Sequence, residues 1–78
     1  MKKDKSKDLK LIHVQNQIAQ LKKLDAICIL LDNSEAYALL YEVENIQRSI
    51  LCDILKYKDS VNLSVADIEF IKFKIQVL

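Results

Sequence analysis

A chain of 78 residues with a formal net charge of +1 makes one domain at most, and it lacks the basic excess a dedicated nucleic-acid binder needs for its phosphate contacts. Its apolar fraction of 51% is high for so short a chain, which has proportionately more surface to keep polar, so part of that apolar area is expected to serve an interface. Neither Gly nor Pro occurs, which excludes glycine-rich phosphate loops and disfavours tight hairpins; helices joined by short Asx/Ser turns suit the chain best.

Met1 to Lys10 carries five lysines against two aspartates and almost nothing apolar, so residues 1–7 are expected to form a disordered basic arm ahead of a single helical domain at 8–78. No apolar leader core is visible behind the lysines, and the longest uninterrupted apolar run, Ala26 to Leu31, is far too short to span a bilayer. The expectation is a soluble, cytoplasmic protein without a membrane partner.

The first helix is predicted over about 8–31, with Asp8 as its cap. Leu11, Val14, Ile18 and Leu21 step by three and four along one face. The next heptad position is Asp25, and the stripe instead continues through Leu24, Cys28 and Leu31, a shift that changes which side meets the neighbour. From Ala26 to Leu31 the helix is apolar all round, so this end is either clamped on several sides or offers a second face to a partner.

Asp32, Asn33 and Ser34 supply turn and cap formers, with Glu35 expected in the first turn of a second helix over about 34–57. So short a connection makes the two helices antiparallel neighbours. In the second helix Ala36, Leu39, Val43, Ile46 and Ile50, then Ile54 and Tyr57, form an apolar stripe, and Val43 and Ile46 are expected to face the seam.

Ser64 followed by Asp67 reads as a capping box with Asp in place of Glu, opening a third helix over about 65–77. The signals there conflict, because Ile71, Phe73, Ile75 and Val77 alternate as a strand would, while Ile68, Ile71, Ile75 and Leu78 share one side of a helix. The fold class expected is therefore all-α: an antiparallel hairpin of long helices plus a shorter C-terminal third helix. The alternative is α+β, with Ala26–Leu31 and Ile71–Val77 as paired strands.

Chemistry-bearing residues are few. His13 is the lone histidine, and in the hairpin it comes level with Ile54 and within reach of Cys52. A Cys–His pair serves as nucleophile and base or as half of a metal site. A structural zinc wants about four ligands, and Cys28 would lie about 20 Å away along the hairpin. The same distance forbids a Cys28–Cys52 disulfide within one hairpin. Glu42 and Glu44 point in different directions on a helix and make no acid/base pair. No catalytic, metal or cofactor site is assigned.

Apolar supply in excess of what a unit this size encloses points to a small non-enzymatic protein-interaction module, an adaptor, co-chaperone or inhibitor, acting on another protein or a second copy of itself. The residues expected to carry the contact are Tyr37, Tyr41, Leu40, Ile27, Leu30, Phe70 and Phe73. Asp32 to Asp53 holds five carboxylates against Arg48, so the basic arm and the acidic helix suit one another within a dimer, or complementary partners. In outline, a long-helix hairpin over about Asp8 to Tyr57 with a tyrosine opening its second helix looks like the small co-chaperones that shield needle subunits in type III secretion. That likeness of outline implies an apolar seam that shields a partner. The first alternative is a nucleic-acid-associated regulator meeting phosphates through Lys2, Lys3, Lys5, Lys7 and Lys10, with Lys22 and Lys23. The second is a metal or redox sensor built on His13 and Cys52.

Overall fold

The computed structural model describes residues 5–78, and the expected arm falls outside the described residues over positions 1–4. Three helices follow in order, α1 (Lys5–Asn33), α2 (Tyr37–Tyr57) and α3 (Val65–Val77), with a 3₁₀ turn at Lys58–Ser60 after α2. The protein is all-α, a long antiparallel hairpin of α1 and α2 with the shorter α3 laid against it. Among the described residues there is no strand: Ala26–Leu31 lies within α1 and Ile71–Val77 within α3, so the α+β alternative is not what forms. The alternation in α3 coexists with a capped helical start, and the cap decides. Ser64 Oγ accepts a hydrogen bond from the Asp67 N–H at 3.1 Å, as the capping box predicts.

Two boundaries differ from expectation. Helix α1 is already formed at Lys5, so Lys5–Lys7 belong to it and Asp8 lies inside it instead of capping it. At the hairpin turn Glu35 is not in the first turn of α2: it has φ 58°, the left-handed region, and α2 starts at Tyr37 with no side-chain cap. The physical reason is a Schellman closure of α1. The Ala36 N–H donates to the Leu31 carbonyl at 2.9 Å and the Glu35 N–H to the Asp32 carbonyl at 3.0 Å, which ties up the last carbonyls of α1 before α2 begins. That motif wants glycine at its left-handed position, and this chain has none. Glu35→Gly is therefore expected to raise stability by about 0.5–1 kcal/mol in urea unfolding, and a loss of stability would refute this reading of the turn.

The core lies in the half of the hairpin away from the turn, where three helices meet. Val14, Ile18 and Leu21 of α1, Leu51 and Ile54 of α2 and Ile71 of α3 are buried together, flanked by Leu55, Val61, Leu63 and Phe70. The α1 stripe is as predicted, with Leu24, Cys28 and Leu31 half-buried beyond Leu21. The second half of the α2 stripe meets the core as expected, with Ile54 buried and Ile50 and Tyr57 packed against it, but the half toward the turn is rotated away. Gln47, Leu51 and Ile54 are the buried positions, while Leu39 and Ile46 are exposed and Val43 is half-buried. Two neighbours, α1 and α3, flank α2 here, so its buried arc is centred between them instead of on its most apolar stripe.

The molecule measures 55 × 18 × 16 Å, a rod. Helix α3 returns from the far end of α2 only as far as Arg48, whose Nε donates to the Leu78 carbonyl at 3.2 Å. The last residues of α3, with Phe73, line a pocket with Cys28, Ile29 and Glu44; beyond that level the hairpin is two helices thick, and among the described residues no third element covers it.

Candidate functional site

The bare end of the hairpin, from Leu24 to Gln47, is the candidate site, and its character follows from its position. A pair of helices can bury only the strip where they touch, so whatever is apolar on the other faces stays in water. Ile27, Ile29, Leu30, Tyr37, Leu39, Tyr41 and Ile46 are all exposed there. Large apolar side chains scattered singly on a surface need no explanation, but seven on one short two-helix projection, spread over more than one of its sides, are a concentration of the kind that marks interaction surfaces.

Two grooves run along this end. One, of about 350 Å³, lies between α1 and α2 and is lined by Gln20, Lys23, Leu24, Ile27, Ile46 and Ile50. The other continues the line of α3 past its end, and Cys28, Ile29, Asp32, Leu40 and Glu44 form its wall. The apolar groove holds two residues of the predicted α2 stripe, Ile46 and Ile50. Ile46 is exposed along the groove, while Ile50 is half-buried between the groove and the core.

The seven residues singled out from sequence separate in space. Tyr37, Tyr41, Ile27 and Leu30 stand exposed at the bare end, and Leu40 is half-buried in the groove wall. Phe73 is exposed where α3 stops and lines a pocket with Cys28, Ile29, Glu44 and Lys74. Phe70 is placed differently: it is half-buried against the core, with the Lys22 and Lys74 ammonium groups 5.3 and 5.7 Å from its ring centroid. Sequence reasoning missed Ile29, Leu39 and Ile46 as exposed. Their signal was present in the all-round apolar stretch of α1 and in an α2 stripe that the core does not need.

It also missed the polar layer that closes the core at the base of the bare end. Gln47 Nε2 donates to Asp25 Oδ1 at 2.7 Å and to the Leu21 carbonyl at 3.4 Å, and Cys28 Sγ donates to Gln47 Oε1 at 3.5 Å. Lys74 Nζ forms an ion pair with the same Asp25 oxygen, its side chain 7% exposed against 32% for Asp25. One residue from each helix thus meets at one level, and the Gln47 amide and the Lys74 ammonium both have partners there. Burial pushes the Cys28 thiol up from its ordinary value, with the Glu44 and Asp25 carboxylates adding to the effect, so this thiol is a poor nucleophile. The sequence clue was Asp25 standing at a heptad position of the α1 stripe.

His13 finds an ordinary structural partner. Its Nε2 lies 3.1 Å from Asp53 Oδ2, and its ring meets Tyr57 edge-on with centroids 6.1 Å apart. Gln17 donates to the same carboxylate, and the hydrogen bonds from Gln17 and then His13 hold Asp53 below the usual carboxylate range. The expected neighbour Cys52 is exposed, and both cysteines are free thiols. Among the described residues no group of three or more His, Cys, Asp or Glu is placed to hold a metal, and no helix is long and apolar enough to cross a membrane.

Charge is distributed unevenly along the chain. Leu24 to Gln47 holds Asp25, Asp32, Glu35, Glu42 and Glu44 and neither lysine, arginine nor histidine. The rest of the chain carries all twelve lysines and arginines against the other six carboxylates. The bare end is thus acidic and apolar, and the remainder is basic. No protein-family model, curated protein or solved structure matches this chain.

Proposed function

We propose that this protein is a small helical protein-interaction module, an adaptor, co-chaperone or inhibitor, that binds through the uncovered end of its hairpin and performs no catalysis. The observation that carries the reading is the gathering of Ile27, Ile29, Leu30, Tyr37, Leu39, Tyr41 and Ile46 in water beyond the end of α3. Holding these side chains exposed costs solvation free energy that the chain would recover by burying them against a partner, on the order of 25 cal/mol per Å² of apolar surface removed from water. Two free thiols and the lack of a membrane-crossing helix among the described residues support action in a reducing, aqueous compartment such as the cytoplasm.

Two exposed lysines of α1, Lys22 and Lys23, do not favour the nucleic-acid alternative. Lys22 sits 4.0 Å from Asp67 and over the Phe70 ring, and Lys23 borders an apolar groove beside an acidic end that would repel phosphates. The test is to purify complexes from the native cell with the unaltered chain and with Leu30→Asp and Tyr41→Asp. Both variants are expected to keep their helix content by circular dichroism while losing the bound partner, because each places a charge on the exposed patch and neither touches the core. Undiminished capture by both variants would sink the proposal.

A further inference from the structure

We infer that the occupant of the uncovered end is a second copy of this chain, docked antiparallel, so that the acidic apolar end of each protomer lies against the basic half of the other. The inference rests on the interaction reading above and names its partner. The chemistry that would complement Leu24–Gln47 is an elongated surface that is apolar where it meets the groove and basic beyond it. The same molecule supplies that surface. Its far half has exposed Lys10, Lys56 and Lys58, and Leu9 and Ile12 are exposed among them.

Symmetry selects the arrangement. In a two-fold pair the same patch meets itself, and the groove lined by Leu24, Ile27, Ile46 and Ile50 gives an apolar surface for that contact on the face that α3 leaves free. This groove is centred about 17 Å from the hairpin turn by the helical rise. With the axis through it, each turn, with Asp32, Glu35 and Glu42 near it, reaches the level of Lys10 and Lys56 on the partner. Both ends are satisfied at once and the assembly closes. A parallel pair would place the five-carboxylate ends side by side, and like charges in contact are repulsive. Head-to-tail stacking would satisfy one end of each molecule and leave the chain of contacts open.

The solution mass of the full chain is measured across a concentration series at low and high salt, and spin labels on Ser34→Cys, in a Cys28→Ser and Cys52→Ser background, report the distance between the two turns. Expected are a mass of two chains and a turn-to-turn distance of about 34 Å, twice the axial offset of the groove. Reversing the acidic end with Glu35→Lys and Glu42→Lys should weaken association roughly tenfold at low salt and far less at high salt. A basic-half reversal, Lys10→Glu with Lys56→Glu, should do the same. Mixing the two reversed chains should restore pairing, since each acidic surface again meets a basic one. That rescue separates complementarity from a merely damaged fold. A dimer with labels under about 20 Å apart would overturn the antiparallel arrangement, the distance being too short for opposed rods offset by that rise. A monomer at every concentration would overturn the second copy as occupant. If that monomer binds a synthetic lysine/leucine amphipathic helix through the same groove, the interaction reading survives with a basic helix in its place. If it binds neither, and capture from cells is also untouched by Leu30→Asp, the interaction reading falls with it.

Discussion

Ile54→Asp is expected to unfold the domain outright, while Ile46→Asp, eight residues away in the same helix, leaves it folded. Ile54 is 0% exposed at the centre of the three-helix core, packed with Val14, Leu21 and Ile71. An aspartate there loses the packing of a large aliphatic side chain and buries a carboxylate with no cation to meet it, a combined cost above about 4 kcal/mol. A 78-residue domain has a total stability of roughly 4–12 kcal/mol, and a small one belongs at the lower end. Ile46 is 51% exposed, so a charge there stays solvated and helix content should hold. On the proposed interaction the same substitution would abolish partner binding, because Ile46 forms part of the apolar groove. Circular dichroism and urea unfolding of the pair decide the matter. Unfolding by both, or by Ile46→Asp alone, would place the buried face of α2 on the wrong side.

The polar layer at Asp25, Gln47 and Lys74 should show a marked asymmetry between its members. Asp25→Ala leaves Lys74 almost wholly buried, with only the rings of Phe70 and Phe73 near its ammonium, and is expected to cost about 3 kcal/mol. Lys74→Ala leaves a carboxylate that is already one-third exposed and still bonded to Gln47, so water takes up part of the loss and the cost falls to about 1–2 kcal/mol. The pair Asp25→Ala with Lys74→Met removes both charges and should recover most of the stability lost in Asp25→Ala. A double variant as weak as the single one would mean that the ion pair contributes net stability well beyond its desolvation. The layer also separates the dry core from the bare end. It holds α3 against the hairpin at one level, by bonds that only one register of the three helices can make, which would explain a buried lysine in an otherwise apolar face of α3.

The apolar end and the polar layer together describe a rod with a stable half and an offered half. All six core residues lie in the half that α3 covers. The other half has helical continuity with it through α1, which is 29 residues long and runs unbroken past the end of α3. Side chains such as Leu30 and Tyr41 are therefore presented on a stiff projection, and a partner that buries them does not have to order them first.

Much of this organisation was written in local pattern. The absence of Gly and Pro, the three-and-four spacing of Val14, Ile18 and Leu21, the short polar connection after Leu31 and the Ser64 cap with Asp67 determined three helices, the antiparallel hairpin and the surplus of apolar surface. Each of these depends on interactions within a few residues, or on the total supply of one residue type, and so needs no partner to be read. Three things were decided only in the folded molecule. The buried arc of α2 reaches the expected Ile54 through Gln47 and Leu51, and Leu39 and Ile46 are left exposed, because α1 and α3 approach from two sides and the arc must lie between them. Glu35 takes a left-handed backbone because closing α1 demanded it in a chain with no glycine to offer. Asp25, Gln47 and Lys74 converge from three helices, a meeting fixed by how far α3 climbs the hairpin; that distance is set by packing across the core, and no periodicity within a single helix encodes it.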